Sequence, residues 1–287
     1  TIFAEATLAQ VFKHKEPDGR VVGGPAFYIM NGLNCKPLAV FFSVSLIIAL
    51  GFIGNAVQTN SIADACNVAF GWNKLYVGIF LAALGAYVFF GGIGRIAAIT
   101  EKLVPVMAAM YLIGGAIILI MNFTQLPHAF WMIFKGAFNP AAATGGLIGV
   151  SIKQAVRYGV ARGLFSNEAG MGSTPHAHAV AKVKHPCEQG YAAIISVFID
   201  TFCVLNMTAF VIFVTGAIDG HTSGIALTQK AFSIGLGQLG VPFVALCLFF
   251  FAFSTVIGWY FYGEQNIIFL CGEKGLLPYR LIVVVFL

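Results

Sequence analysis

Charge is what this sequence has least of. Of its 287 residues only 9% are Asp, Glu, Lys or Arg, against roughly 25% in an ordinary soluble domain. A soluble fold of this size cannot solvate its apolar exterior with so few charges. Intrinsic disorder is excluded for the same reason. The six cysteines (Cys35, Cys66, Cys187, Cys203, Cys247, Cys271) are scattered and never form C-x-x-C, so nothing points to a zinc site or a disulfide framework. The chain opens without Met and without a basic n-region, and no signal peptide is visible. Both ends read as cut, which predicts an internal piece of a longer protein. No low-complexity run is present, and no repeat of 20–50 residues is apparent.

What is there is apolar. Hydrophobic residues make up 59% of the chain, the mean hydropathy is +0.88, and glycine reaches 33 residues, an enrichment that suits close-packed or broken transmembrane helices. A bilayer-spanning helix needs about 20 mostly apolar residues. Such runs predict an all-α, polytopic membrane protein. Its spans fall at 37–63, 75–94, 103–121, 136–156, 190–217 and 237–264, with partial ones at 1–12 and 281–287. The segment 125–138 is too short to cross, and its apolar residues have helical spacing, so it reads as a helix on the membrane surface. The net charge of +5 would suggest nucleic acid in a soluble protein. Here all the basic residues except Lys74, Lys135 and Lys230 fall in alternate connections. That alternation explains the charge as a cytoplasmic bias, and it argues against a nucleic-acid partner.

Polar residues inside the apolar runs carry the functional reading, because an unsatisfied polar group in a bilayer costs several kcal/mol. In GFIGNAVQTNS (51–61), Asn55, Gln58 and Thr59 share a helix face. Two uncharged carboxamides suit a zwitterionic solute, and they serve equally as glue between helices. In FAFSTVIGWYFYGEQ (251–265), Ser254 and Thr255 are adjacent hydroxyls, with Trp259 one turn on. The hydroxyls could coordinate Na⁺, or simply bond back to carbonyls of their own helix. Trp259 reads as a cavity lid or as an interfacial anchor. Gly145, Gly146 and Gly149 lie where a crossing helix should be continuous. They predict either a break lining a cavity or close packing of small residues. Asp200 is an intramembrane acid, a candidate for ion coupling or for a pair with Arg157 or Arg162. His176, His178 and His185 fall in a cytoplasmic connection, and H-A-H has the wrong spacing for a metal on one helix face. No span holds two titratable residues at helical spacing, which argues against an enzyme.

GGPAFYI (23–29), GNAVQTNSIAD (54–64), TEKLVP (100–105), YGVARGLFSNEAGMGS (158–173) and FAFSTVIGWYFYGE (251–264) together resemble the alanine or glycine:cation symporters. The stretch 161–173 is the most specific, and the similarity runs in order along essentially the whole chain. The resemblance implies a five-plus-five inverted-repeat transporter domain over 1–287, incomplete, from the end of the second helix to the start of the ninth. It implies Na⁺-coupled symport of a small neutral amino acid, alanine or glycine, in the plasma membrane, as in a bacterial inner membrane, with the lipid bilayer as its other partner and no organic cofactor. By the same resemblance Ser254 and Thr255 are sodium ligands. Gln58, Asn55, Thr255 and Trp259 line the substrate site, and Gly145, Gly146 and Gly149 fall on the unwound helix. The first helix, expected to supply much of the site, is missing, and Thr174 and His176 depart from the family pattern. A passive channel or pore is the competing function. It predicts a continuous polar lining, whereas the polar residues here cluster mid-span.

Overall fold

The computed structural model describes residues 1–16, 19–138 and 148–287. Its elements are α1 (Ile2–Val11), a two-residue hairpin of β1 (His14–Lys15) and β2 (Val21–Val22), then α2 (Pro25–Leu33), α3 (Lys36–Phe70), α4 (Lys74–Phe89), α5 (Gly92–Met121), α6 (Leu126–Phe138), α7 (Ile148–Asn167), α8 (Pro175–Val180), α9 (Pro186–Val214), α10 (Gly224–Leu236), α11 (Gly240–Cys271) and α12 (Leu276–Phe286). The protein is an all-helical, multi-pass membrane protein. Among the described residues, four helical stretches are long and apolar enough to cross a bilayer: 36–70, 92–121, 186–214 and 224–286. Phe41, Tyr76 and Ile120 are each more than two-thirds exposed, as lipid-facing side chains should be and soluble surfaces rarely are.

Local chemistry sets the element ends. Pro25 opens α2, where a missing N–H costs nothing, and Asn34 closes it in the left-handed conformation. Asn73 caps α4 by accepting from the Leu75 N–H at 2.9 Å. Helices cover five of the six expected spans with shifted ends, while the span expected at 136–156 lies partly outside the described residues and α7 (Ile148–Asn167) covers its end. The helix starting at 74 stops at Phe89 rather than 94, and α5 starts at Gly92 rather than 103. The basic residues Arg95 and Lys102 therefore ride on the first turns of a long helix instead of a loop. The uncharged run after 231 divides into α10 and α11 around Gly237.

The chain divides into two compact units. The first comprises Thr1–Met107, Glu168–Ser196 and Ala245–Leu287. Its core joins α3, α4, α11 and α12 through Ile62, Leu81, Val88, Val256, Ile257 and Val283, none more than 1% exposed. The Phe89 and Tyr260 rings stack at 3.8 Å. The second comprises Ala108–Asn167 and Val197–Val244. There Phe232 packs on Tyr111 and Phe243, each at 5.6 Å between ring centres, and the Tyr111 and Thr208 hydroxyls meet at 2.5 Å.

Two of the long helices are not regular. Residues Ile47–Gly54 of α3 and Ile199–Leu205 of α9 form π turns. Such wide turns are rare in helices and frequent at functional sites.

Candidate functional site

The site grows from the π turn of α3. Asn55 follows it directly and is fully buried. Its Nδ2 donates to the Gly51 carbonyl at 3.1 Å, and its Oδ1 is buried without a hydrogen-bond partner among the described residues. An orphaned buried acceptor is costly unless a ligand or ion completes it. One turn on, Thr59 returns its hydroxyl to the Asn55 carbonyl at 2.8 Å. Gln58, half-buried, makes no side-chain hydrogen bond among the described residues.

Helix α11 lies antiparallel against this segment. Gly51 and Gly263 both face the Tyr279 hydroxyl, and Gly54 faces Trp259. At Gly54 a Cβ would stand 2.6 Å from the indole ring, so only glycine lets Trp259 lie flat against α3 beside Asn55. Trp259 is 2% exposed, packed on Leu46 and Leu50. In the antiparallel register Gln58 and Thr255 each lie one turn, about 6 Å, along their helices from this contact. Ser254 and Thr255 donate their protons to one carbonyl, that of Phe251, at 2.8 and 3.0 Å. The back-bonding reading is therefore realised. It leaves the lone pairs of both oxygens available to a cation, since ligation uses lone pairs and not the proton.

Glu168 is the residue that sequence reasoning passed over. It lies in the 161–173 stretch, just after α7, with φ of 53°. Its Oε1 accepts from the Trp259 indole N–H at 2.6 Å, and its Oε2 accepts from the Ser173 hydroxyl at 2.6 Å. A carboxylate 91 residues away in sequence thus anchors the indole. The signal was the unusual polar composition of SNEAG between two apolar spans.

His176, expected in a solvated connection, is 1% exposed. Its ring stacks between Phe42 and Tyr262. Nδ1 lies 2.7 Å from the Ser173 carbonyl and therefore carries the proton. Nε2 then accepts from Asn266 Nδ2 at 2.8 Å, and that same amide donates to the Tyr262 carbonyl. Burial pulls this imidazole down to about 4, against the opposing pull of the two hydrogen bonds. Its folded value lies below the unfolded one, so its contribution is complete above about pH 6.5 and is lost as pH falls toward 4. The expected loss is about 2 kcal/mol by pH 5. Thermal unfolding measured between pH 7 and 4.5 checks this, because His176→Gln should flatten the profile. Parallel profiles for the two proteins would contradict it.

Asp200, on the π turn of α9, accepts from Ser166 Oγ at 2.9 Å. Of the two readings offered for Asp200, the pair with Arg157 or Arg162 does not form among the described residues, and the Arg162 guanidinium lies over the Tyr158 ring. Of the glycines expected to break a helix, Gly149 lies in the first turn of α7. Gly145 and Gly146 lie outside the described residues.

The Sodium:alanine symporter family model matches residues 1–287. The chain belongs to that family. Members similar to it include the amino-acid carrier protein AlsT of Bacillus subtilis, 42% identical over 98% of this chain and 60% of AlsT. The sodium/alanine symporter AgcS of Methanococcus maripaludis is 41% identical over 98% of this chain and 63% of AgcS. The probable sodium/glutamine symporter GlnT of Bacillus subtilis is 41% identical over 96% of this chain and 57% of GlnT. The chain spans about three-fifths of the length of these curated symporters. Membership places it among transporters and not among enzymes.

Proposed function

We propose that the protein containing this chain imports a small neutral amino acid, alanine or glycine, across the plasma membrane together with Na⁺. The observation that carries this reading is the buried Asn55 carboxamide beside the Trp259 indole across Gly54, its Oδ1 without a partner among the described residues. This wall offers an amide acceptor and an aromatic cover, and the Glu168 carboxylate behind it is engaged by the indole N–H and the Ser173 hydroxyl. Gln58 and Thr255 extend the wall outward and bind the solute's polar end. Ser254 and Thr255 contribute two of the oxygens around Na⁺. The names of AgcS and AlsT support alanine and amino-acid transport. GlnT shows that a relative of equal identity is named for a longer neutral side chain, and the Trp259 indole is the group that limits length here.

Labelled alanine offered to proteoliposomes of the full-length protein should accumulate only with an inward Na⁺ gradient. Downhill flux indifferent to Na⁺ would favour the pore instead. Ser254→Ala or Thr255→Ala should raise the Na⁺ concentration for half-maximal uptake about tenfold, the equivalent of one weakened oxygen ligand. An unchanged Na⁺ dependence in both variants removes the ligand assignment.

A further inference from the structure

The segment 168–176 runs from the residue after α7 into the first turn of α8, and it lies with α11 in the first unit. On α11, Trp259, Tyr262 and Asn266 recur at helical spacing and share one face. The segment touches all three. Glu168 Oε1 accepts from the Trp259 indole at 2.6 Å, the His176 ring stacks on Tyr262, and His176 Nε2 accepts from Asn266 Nδ2 at 2.8 Å. Trp259 and Asn266 stand two turns apart, about 10 Å along the helix. The segment is therefore clamped to α11 at two separate points.

The two clamps are joined within the segment. His176 Nδ1 donates to the Ser173 carbonyl at 2.7 Å, and the Ser173 hydroxyl donates to Glu168 Oε2 at 2.6 Å. The path Asn266–His176–Ser173–Glu168–Trp259 is hydrogen-bonded at every step. Ser173, His176 and Asn266 are all buried, so water does not compete for these bonds. The turn between the clamps has positive φ at Glu168 (53°), Gly170 (92°) and Gly172 (79°). Glycine takes such angles freely and glutamate does not. A side-chain-bearing residue stays there only where its surroundings over-determine it. Those surroundings are Glu5, whose Oε2 accepts from the Gly170 N–H at 3.1 Å, and the His176 ring held between Phe42 and Tyr262.

We infer that His176 and Asn266 are positioning residues for solute recognition, acting through Ser173 and Glu168 on the Trp259 indole. The inference rests on the proposed reading of that indole as the solute's cover. Helix α11 fixes the Trp259 backbone and leaves two rotatable side-chain bonds. The Glu168 acceptor selects one orientation of the ring, and the far clamp keeps Glu168 where it can do so. Without that clamp the turn is free to relax out of the left-handed region and carry the carboxylate away from the indole.

The test is initial-rate alanine uptake by the full-length protein in proteoliposomes with an inward Na⁺ gradient. His176→Phe keeps a ring between Phe42 and Tyr262 and removes both imidazole hydrogen bonds. Asn266→Ala removes the same clamp from the α11 side, outside the stack, and keeps the test open should His176→Phe not fold. Each should raise the alanine concentration for half-maximal uptake about fivefold. The maximal rate per folded protein should stay within about twofold. In a Trp259→Phe background neither variant should raise half-saturation further, because the path then ends on no indole N–H. A side chain that only holds the fold together would add its effect equally in both backgrounds, and that result overturns the inference. So does unchanged half-saturation in both single variants while Trp259→Phe raises it. If Trp259→Phe itself leaves half-saturation unchanged, the reading of the indole as the solute's cover fails, and the inference falls with it.

Discussion

Alanine uptake by a full-length carrier with Glu168→Ala is expected to fall by about 10- to 100-fold at limiting substrate. The carboxylate holds the Trp259 indole N–H at 2.6 Å, and a hydrogen bond to a charged group contributes about 1.5–3 kcal/mol. Removing it leaves a buried donor unpaired in an apolar setting, so the indole must turn or admit water. Either response lifts it off Gly54 and opens the wall beside Asn55. Glu168→Gln keeps an acceptor and should retain more uptake than Glu168→Ala. Trp259→Phe removes the donor instead and should resemble Glu168→Ala. Initial rates of labelled alanine uptake, normalised to the amount of folded protein, decide the matter. Equal rates for wild type and Glu168→Ala would show that the indole holds its place without the carboxylate.

The second large effect falls on folding. Gly24→Ala should lower stability by about 2–6 kcal/mol. Gly24 has a φ of 125° and a ψ of −171°, a region that residues with a Cβ adopt only under strain. The added methyl would also be driven into the His176 ring. That ring cannot step aside. It is stacked between two aromatic rings, and both nitrogens are engaged. Thermal unfolding and monodispersity after detergent extraction measure the effect. In the double variant Gly24→Ala/His176→Ala the losses should be less than additive, because the clash disappears and only the backbone strain remains. A Gly24→Ala protein as stable as wild type would mean that this segment packs differently.

Much of the architecture was legible because apolar run length is a strong physical signal in a bilayer. The short helix expected at 125–138 forms as Leu126–Phe138, its helicity read from apolar spacing alone. The end of α4 at Phe89 was not legible, since the absence of charge says how much of a segment is buried in lipid and nothing about where it turns. In the site, Asn55, Ser254, Thr255 and Trp259 stood out as polar groups in apolar surroundings. Glu168 and His176 did not, because they fall between the apolar spans, where polar side chains are commonplace. Their importance comes from partners some 90 residues away, Trp259 and Asn266, and no local periodicity encodes such a pairing. The two alternatives offered for the α11 hydroxyls are also compatible, since one carbonyl takes both protons and leaves both oxygens their lone pairs.

The π turn of α3 has a consequence for comparing chains by length. A wide turn holds more residues than a regular one over nearly the same rise. Deleting a single residue between 47 and 54 would let the helix close into ordinary α turns while keeping its apolar character and its ends. Because the wide turn already holds the extra residue within its rise, the segments on either side would keep their faces nearly aligned, and Asn55 would stay beside Trp259. What would go is the wide turn itself, with the backbone groups it spreads apart just before Asn55. A hydropathy profile would register no change. Among chains of this kind, a one-residue gap in that stretch therefore marks the loss of the wide turn and not a shift of the faces around it.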